Sequence, residues 1–326
     1  MGESLRVGVI GCGAIASAVH LRVLRGLRGV RVTAVADPLP AARDRGSRLV
    51  SAAAVETTDQ LLARDDVDAV VVTTPSGTHA GIALATLAAG RHLFLEKPIA
   101  TSLHDGQQVA AAAAARDCIA TIGFNWRFQP LIMRAREILC DGVLGEIHSV
   151  STTFCEPAPI PTWKERRRDG GGVLLDLGSH HFDLIRWLLG TEVRVVQASL
   201  RSELSEHDSA EVRLGLDGDG EASVSLSFRS GPVDTINVTG ERGSLHVDRY
   251  ARTLVVRGVR TRTTTLATIV WRTKAFVRPR AEPSWNTLLR KFVHATRGAA
   301  VDLPTFGDAL RSLEVVVAAE RAAGIG

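Results

Sequence analysis

The 326-residue chain has little that would tie it to a membrane, an export route or a metal. It has no uncharged apolar run of roughly 18 residues, so no membrane span is expected. The stretch MGESLRVGVI enters an apolar strand pattern almost at once and leaves no room for a signal peptide. Cysteine is scarce and scattered: Cys12, Cys118, Cys140 and Cys155 form no C-x-x-C pair. That argues against a cysteine-rich zinc site, so no metal is expected, and it suits reduced thiols in a cytoplasm. Aromatic residues make up only 5 % and no nucleic-acid-binding motif occurs, which speaks against nucleic acid as a partner. Lysine is rarer than arginine: Lys97, Lys164, Lys274 and Lys291 are the only lysines among 39 basic residues. A lysine in a cleft is therefore notable. Tyrosine occurs once, at Tyr250.

What is present suits two globular domains. Apolar content is 45 %, charged content 23 %, and the formal net charge is +4. Basic runs at 164–168 and 272–280 read either as solvated surface or as attraction for an anionic, phosphorylated or nucleotide-linked substrate.

The chain is organised around VGVIGCGAIA at positions 7–16. An apolar run, Leu5–Ile10, feeds into Gly11-Cys12-Gly13-Ala14-Ile15-Ala16, the G-x-G-x-x-A form of a dinucleotide-binding turn. Gly11 permits the tight turn, Gly13 removes a side chain where a pyrophosphate must approach, and the small Ala16 lets the helix pack on the strand. The helix start offers free N–H groups to phosphate oxygens. A second apolar strand, 30–36, ends at Asp37, whose carboxylate suits the ribose hydroxyls of NAD and repels the 2′-phosphate of NADP. Arg43 and Arg45 follow closely, and they keep NADP open if the helix turns them inward.

Up to about residue 122, short β-branched runs alternate with helical ones. Strands are expected at Leu5–Ile10, 31–36, 69–74, His92–Leu95 and 119–122, with helices between them. This βαβ succession predicts a doubly wound parallel sheet over residues 1–122. Ligands bind such sheets beyond the carboxyl ends of the strands. Two polar loops fall there: Thr73-Thr74-Pro75-Ser76-Gly77-Thr78-His79 and Glu96-Lys97-Pro98.

Residues 123–326 read as a second, α+β domain. Short alternating runs at 146–154, 193–200, 209–216, 221–228, 233–239, 243–247 and 253–259 predict a large open, mostly antiparallel sheet that pairs with another subunit. Residues 261–280 are ambiguous. Helices are expected at 131–139, 285–297 and 306–323. Gly170-Gly171-Gly172 precedes a helix from about 173 to 189, with Gly190 as its stop. At 100° per residue, Asp176, His180, Asp183 and Trp187 gather on one stripe, and His181 points into the apolar sector as a packed residue. A surface ion-pair stripe and an acid–base histidine held by carboxylates both fit that arrangement, and the second fits better.

These motifs resemble the glucose-fructose oxidoreductase / inositol dehydrogenase family, Gfo/Idh/MocA. The likeness rests on Gly11–Ala16, Asp37, Thr74-Pro75 with His79, Glu96-Lys97-Pro98, Asn125-x-Arg127-Phe128-x-Pro130, and Gly170-Gly171-Gly172 followed by Asp176-x-Gly178-x-His180-x-x-Asp183. It implies a Rossmann domain, a second α/β domain with an open sheet, an active site between them, and homodimers or homotetramers formed through that sheet. It implies an NAD(P)-dependent oxidoreductase acting on a sugar-like substrate, with Lys97, Asp176 and His180 catalytic. Cofactor contacts are expected from Gly11, Gly13, Ala14, Ile15, Asp37, Thr74, Pro75, His79, Glu96, Lys97 and Arg127. Substrate contacts are expected from Lys97, Asn125, Arg127, Trp163, Asp176, His180 and Asp183. Two other readings stand beside it: a glycosidase that uses NAD transiently with no net redox, and a non-catalytic ligand sensor on the same fold.

Overall fold

The computed structural model describes residues 4–157, 163–258 and 283–325. The stretch 261–280, with the basic run at 272–280, lies outside the described residues, as does the side chain of Trp163. The chain divides into two units, one of Met1–Asn125 and Pro279–Leu310 and one of Trp126–Arg278 and Arg311–Gly326.

The first unit alternates β1 (Leu5–Ile10), α1 (Leu21–Gly26), β2 (Val30–Ala36), α2 (Pro40–Val50), β3 (Ala53–Val55), α3 (Thr58–Leu62), β4 (Ala69–Val72), α4 (His79–Ala88), β5 (His92–Leu95), α5 (Leu103–Ala114) and β6 (Ala120–Ile122). Every strand pairing is parallel, in the order β3-β2-β1-β4-β5-β6. The central strands are apolar on both faces: Val70, Val71, Val72, Leu93, Phe94 and Leu95 are fully buried. That is what helices on both sides of a parallel sheet require. The order reverses between β1 and β4, and the crevice at such a reversal is where a doubly wound sheet takes its ligand. The expected strands are all present. The three-residue β3 is additional, and it lacks the apolar run that marks its neighbours.

The second unit contains α6 (Pro130–Cys140), β7 (Ile147–Cys155), α7 (Ser179–Leu189) and β8 (Arg194–Arg201). It continues with β9 (Ser209–Gly215), β10 (Glu221–Ser227), β11 (Val233–Gly240), β12 (Gly243–Asp248) and β13 (Thr253–Arg257). The seven strands run β13-β12-β11-β7-β10-β9-β8, antiparallel except for β7 beside β10. Burial alternates along them: Ala222, Val224 and Leu226 face the core while Glu221 and Ser223 are exposed. One face is thus apolar. The other is lined by hydroxyls and small polar networks, such as Asn237 donating to Ser151 at 3.2 Å and Ser225 donating to Glu211 at 2.6 Å.

A single boundary at 122/123 does not describe this division. After the second sheet, α8 (Pro283–Ala295) belongs to the first unit, and α9 (Phe306–Ala322) starts there. The amphipathic α8 buries Leu288, Leu289 and Phe292. Trp285 meets His20 edge-on at 4.9 Å, and the Thr121 hydroxyl donates to the Pro304 carbonyl at 2.7 Å. Sequence alone marks an amphipathic helix, but not the surface that its apolar stripe covers.

Candidate active site

In the first unit, Gly11 adopts φ +90°, and a Cβ there would lie 2.8 Å from the Thr73 carbonyl. Gly13 differs: a Cβ on it would meet nothing within 4 Å. Gly13, Ala14 and Ile15 form an exposed step between the buried Cys12 and Ala16. Helical N–H groups lacking an intrahelical acceptor open onto that step. The helix begins with a π-helical stretch, Ala16–His20, before α1. Open space at Gly13 and a helix start behind it are what a diphosphate needs.

Asp37 closes the turn from β2. Its Oδ2 accepts from the Cys12 N–H at 2.7 Å and its Oδ1 from the Leu39 N–H at 2.8 Å. Arg43 donates to the Asp37 carbonyl at 2.9 Å, and Arg45 to the Cys12 carbonyl at 3.3 Å. Both arginines therefore do turn toward the glycine turn. Burial first, then the Asp37 charge, pushes the Cys12 thiol up to about 12, with Arg45 and Arg43 pulling the other way. That thiol stays protonated and unreactive at neutral pH.

The two polar loops are fastened to each other by His79. Its Nδ1 lies 2.6 Å from the Pro98 carbonyl and its Nε2 2.9 Å from that of Thr74. Burial holds its pKa below the ordinary value, against those two contacts. Both nitrogens are occupied, so His79 acts as a clamp between the loops. Glu96 is similarly turned inward: its Oε1 lies 2.6 Å from His20 Nε2, both side chains being buried. Lys97, next in the chain, is half-buried, and Thr74 and Pro75 stand at the surface end of β4.

In the second unit the expected regular helix over 173–189 starts with a π-helical turn, Leu174–Gly178, before α7. Gly190 stops it with φ +66°. π turns carry one residue more per turn and are frequent at functional sites. The 100° projection therefore does not hold across residues 174–178, and the supposed stripe of acids divides. Asp176 Oδ2 receives the Lys164 ammonium at 2.5 Å. Asp183 instead forms a buried fork with Arg127, at 2.9 and 2.5 Å. Arg127 and Asp183 were both expected to contact ligands. Their pairing ties the segment Asn125–Phe128 to α7, with the Arg127 guanidinium 5.8 Å from the Trp187 ring.

His180 is buried and lies flat against Trp126, with centroids 4.1 Å apart and planes 14° apart. His181 is packed as expected, fully buried against Phe154. Burial, assisted by Arg249, pushes its pKa down to about 3. Its 3.7 Å approach to Asp234 is therefore that of a neutral ring, not an ion pair. Asn125 is turned to Ser284, its amide donating at 2.8 Å, and its Oδ1 has no hydrogen-bond partner among the described residues.

The part played by Lys164 was not legible from spacing. Burial lowers its pKa, but the Asp176 charge and hydrogen bond outweigh that and hold the ammonium above its ordinary value. The loop carrying it is seated on Gly171, where a Cβ would lie 2.0 Å from the Lys164 carbonyl. Gly178 likewise lets the helix approach β10: a Cβ there would be 3.0 Å from Leu226. The scarcity of lysine was the available signal.

A parallel sheet with a diphosphate-ready turn, joined in one chain to an antiparallel sheet bearing a buried Asp/His helix, defines an NAD(P)-dependent oxidoreductase. The model of the oxidoreductase family with an NAD-binding Rossmann fold matches residues 5–124, and that of the GFO/IDH/MocA C-terminal domain matches residues 132–246. The chain belongs to the GFO/IDH/MocA family. It is 32 % identical to an inositol 2-dehydrogenase of Rhizobium meliloti, over 74 % of this chain and 75 % of that protein. It is 34 % identical to a dTDP-3,4-didehydro-2,6-dideoxy-alpha-D-glucose 3-reductase of Actinomadura kijaniata, over 61 % and 60 %. Among solved structures it resembles GenD2 from gentamicin A biosynthesis in complex with NAD, with TM-score 0.86 and 30 % identity over 99 % of this chain and 95 % of that one. It also resembles KijD10, a 3-ketoreductase from Actinomadura kijaniata in complex with NADP and TDP-benzene, with TM-score 0.85 and 26 % identity over 98 % of both chains.

Proposed function

We propose that the protein moves a hydride between nicotinamide and a secondary alcohol or ketone of a sugar, a cyclitol or a nucleotide-linked sugar. The observation that carries this reading is the buried His180, four residues from the lysine-bound Asp176 and held flat against an aromatic ring. The bound nicotinamide supplies the hydride acceptor or donor. His180 takes the hydroxyl proton on oxidation and returns it on reduction. Asp176 stabilises the charged imidazole, and Lys97 polarises the carbonyl oxygen. Gly13, Ala14 and Ile15 receive the diphosphate, and Asp37 the ribose. His79 and Glu96 hold the Thr74 and Lys97 loops in place. Arg127 and Asp183 serve by fixing the helix that carries His180.

NAD is the cofactor we favour, since the Asp37 carboxylate repels a 2′-phosphate. The arginines on the turn leave NADP accessible, and relatives crystallised with either cofactor support that latitude. Inositol dehydrogenases and a nucleotide-sugar ketoreductase among the relatives support the substrate class. A homodimer or homotetramer through the polar face of the seven-stranded sheet, in a cytoplasmic setting, completes the reading. Among the described residues, no helix is long and apolar enough to cross a membrane.

The test is His180→Ala assayed with NAD and a panel of myo-inositol, D-glucose and dTDP-glucose. Turnover should fall by about 10² to 10⁴ while NADH binding persists. Near-normal turnover would reject the assignment. Stoichiometric NADH release separates a dehydrogenase from a glycosidase that returns the hydride within each cycle.

A further inference from the structure

An in-plane hydrogen bond settles which nitrogen of an imidazole carries the proton, but it does not by itself fix the plane of the ring, because the terminal torsion of histidine is broad. In this protein a second group limits that rotation. We propose that Trp126, braced by Arg249, is a positioning residue that sets the plane of the His180 ring. The proposal rests on His180 being the acid–base group.

The bracing can be followed outward from the ring. His180 and Trp126 are nearly coplanar at 4.1 Å, and both are buried. The Arg249 guanidinium lies 3.6 Å from the Trp126 ring centre. Arg249 is itself anchored on β11: its side chain pairs with Asp234, and its N–H donates to the Asp234 carbonyl at 2.9 Å. Phe154 on β7 closes one edge of the indole at 4.8 Å, and His181 meets it at 87°. The indole cannot turn without disturbing an ion pair, a buried phenyl ring and a buried imidazole.

Asp176 is matched by Lys164, and Arg249 by Asp234. His181 stays neutral across the working pH range. A flat aromatic neighbour therefore orients the ring without adding a charge of its own. Orientation of this kind decides whether a proton is passed in line, and a displacement near 1 Å at such a group costs on the order of 10²-fold in rate.

Three variants and two readouts test this. Trp126→Leu keeps bulk but removes the aromatic face, Trp126→Phe keeps a smaller face, and His180→Ala identifies the His180 signal in spectra of histidine-labelled protein. In the wild type, the His180 ring protons should lie upfield of ordinary histidine because of the indole beneath them. Trp126→Leu should abolish that displacement and Trp126→Phe retain part of it. With the panel member that the wild type oxidises fastest, Trp126→Leu should lose about 10- to 100-fold in kcat. Its KM and NADH affinity should hold, and Trp126→Phe should recover most of the loss. An undisplaced His180 signal in the wild type overturns the proposal. So does full kcat in Trp126→Leu alongside an inactive His180→Ala, or an equal loss in both Trp126 variants. Full turnover in His180→Ala would instead remove the acid–base reading on which the proposal stands.

Discussion

The two units each begin a functional helix with a glycine turn, and the two turns do opposite things. In the first turn Gly13 leaves space open: a Cβ on it would meet nothing within 4 Å. At residues 170–172 glycine lets the protein close on itself, because the Lys164 carbonyl occupies the place of a Gly171 side chain. Both turns lead into a π-helical stretch, and each of these helices bears a buried histidine, His20 or His180. Glycine thus leaves open space in one unit, and in the other gives room to the backbone of a loop that brings an ammonium to a carboxylate.

The largest expected effects break this contrast directly. Gly171→Ala places a methyl group 2.0 Å from backbone oxygen, so the Lys164 loop must move. Overpacking of this kind costs about 1–3 kcal/mol, and loss of the Lys164–Asp176 contact should lower kcat by on the order of 10²-fold. Gly13→Val should do the reverse: unfolding free energy within about 0.5 kcal/mol of wild type, but NADH affinity at least about tenfold weaker. Thermal unfolding and NADH titration of the two proteins decide it. A stable Gly171→Ala with full activity, or a Gly13→Val that binds NADH normally, would dissolve the distinction. Lys164→Met separates charge from loop, since it keeps the carbonyl seat and deletes only the ammonium.

How much of this was legible in sequence follows the same division. The first unit was read nearly whole, because continuous apolar strands and a glycine turn are local signals. The edge strand β3 escaped, having neither length nor a run of buried residues. The second unit gave its strands and the Asp176/His180 motif, but not the pairing of its charges. Arg127 and Asp183 are 56 residues apart, and only the folded chain joins them. A π turn has no signature in apolar spacing, so a regular projection misplaced Asp176 relative to His180. Lys164 sat in a basic run that read either as solvated surface or as attraction for an anionic substrate, and neither reading pairs it with Asp176.

A smaller effect sharpens the comparison on the cofactor side. Asp37 binds two backbone N–H groups, and Arg43 and Arg45 lie against the same turn. Asp37→Ser removes the charge that repels a 2′-phosphate and leaves both guanidinium groups. The ratio of NADPH to NADH affinity should rise by about tenfold, or on the order of 1.4 kcal/mol. An unchanged ratio in paired titrations would mean that the carboxylate serves only to close the turn.

The last effect concerns the histidine beside the proposed acid–base group. His181 has its pKa depressed to about 3 in the folded protein, against about 6.5 when unfolded. Between those values the unfolded chain binds a proton that the folded one refuses. Stability from this site is therefore fully present above pH 6.5 and is lost as pH falls toward 3, with a limiting slope of about 1.4 kcal/mol per pH unit. His181→Phe keeps an aromatic ring against Phe154 and has no proton to gain. Denaturant unfolding at pH 7 and pH 5 should show a smaller loss on acidification in the variant than in the wild type. Equal losses would mean that His181 does not stay neutral in the fold, and that the space beneath Trp126 holds a charge after all.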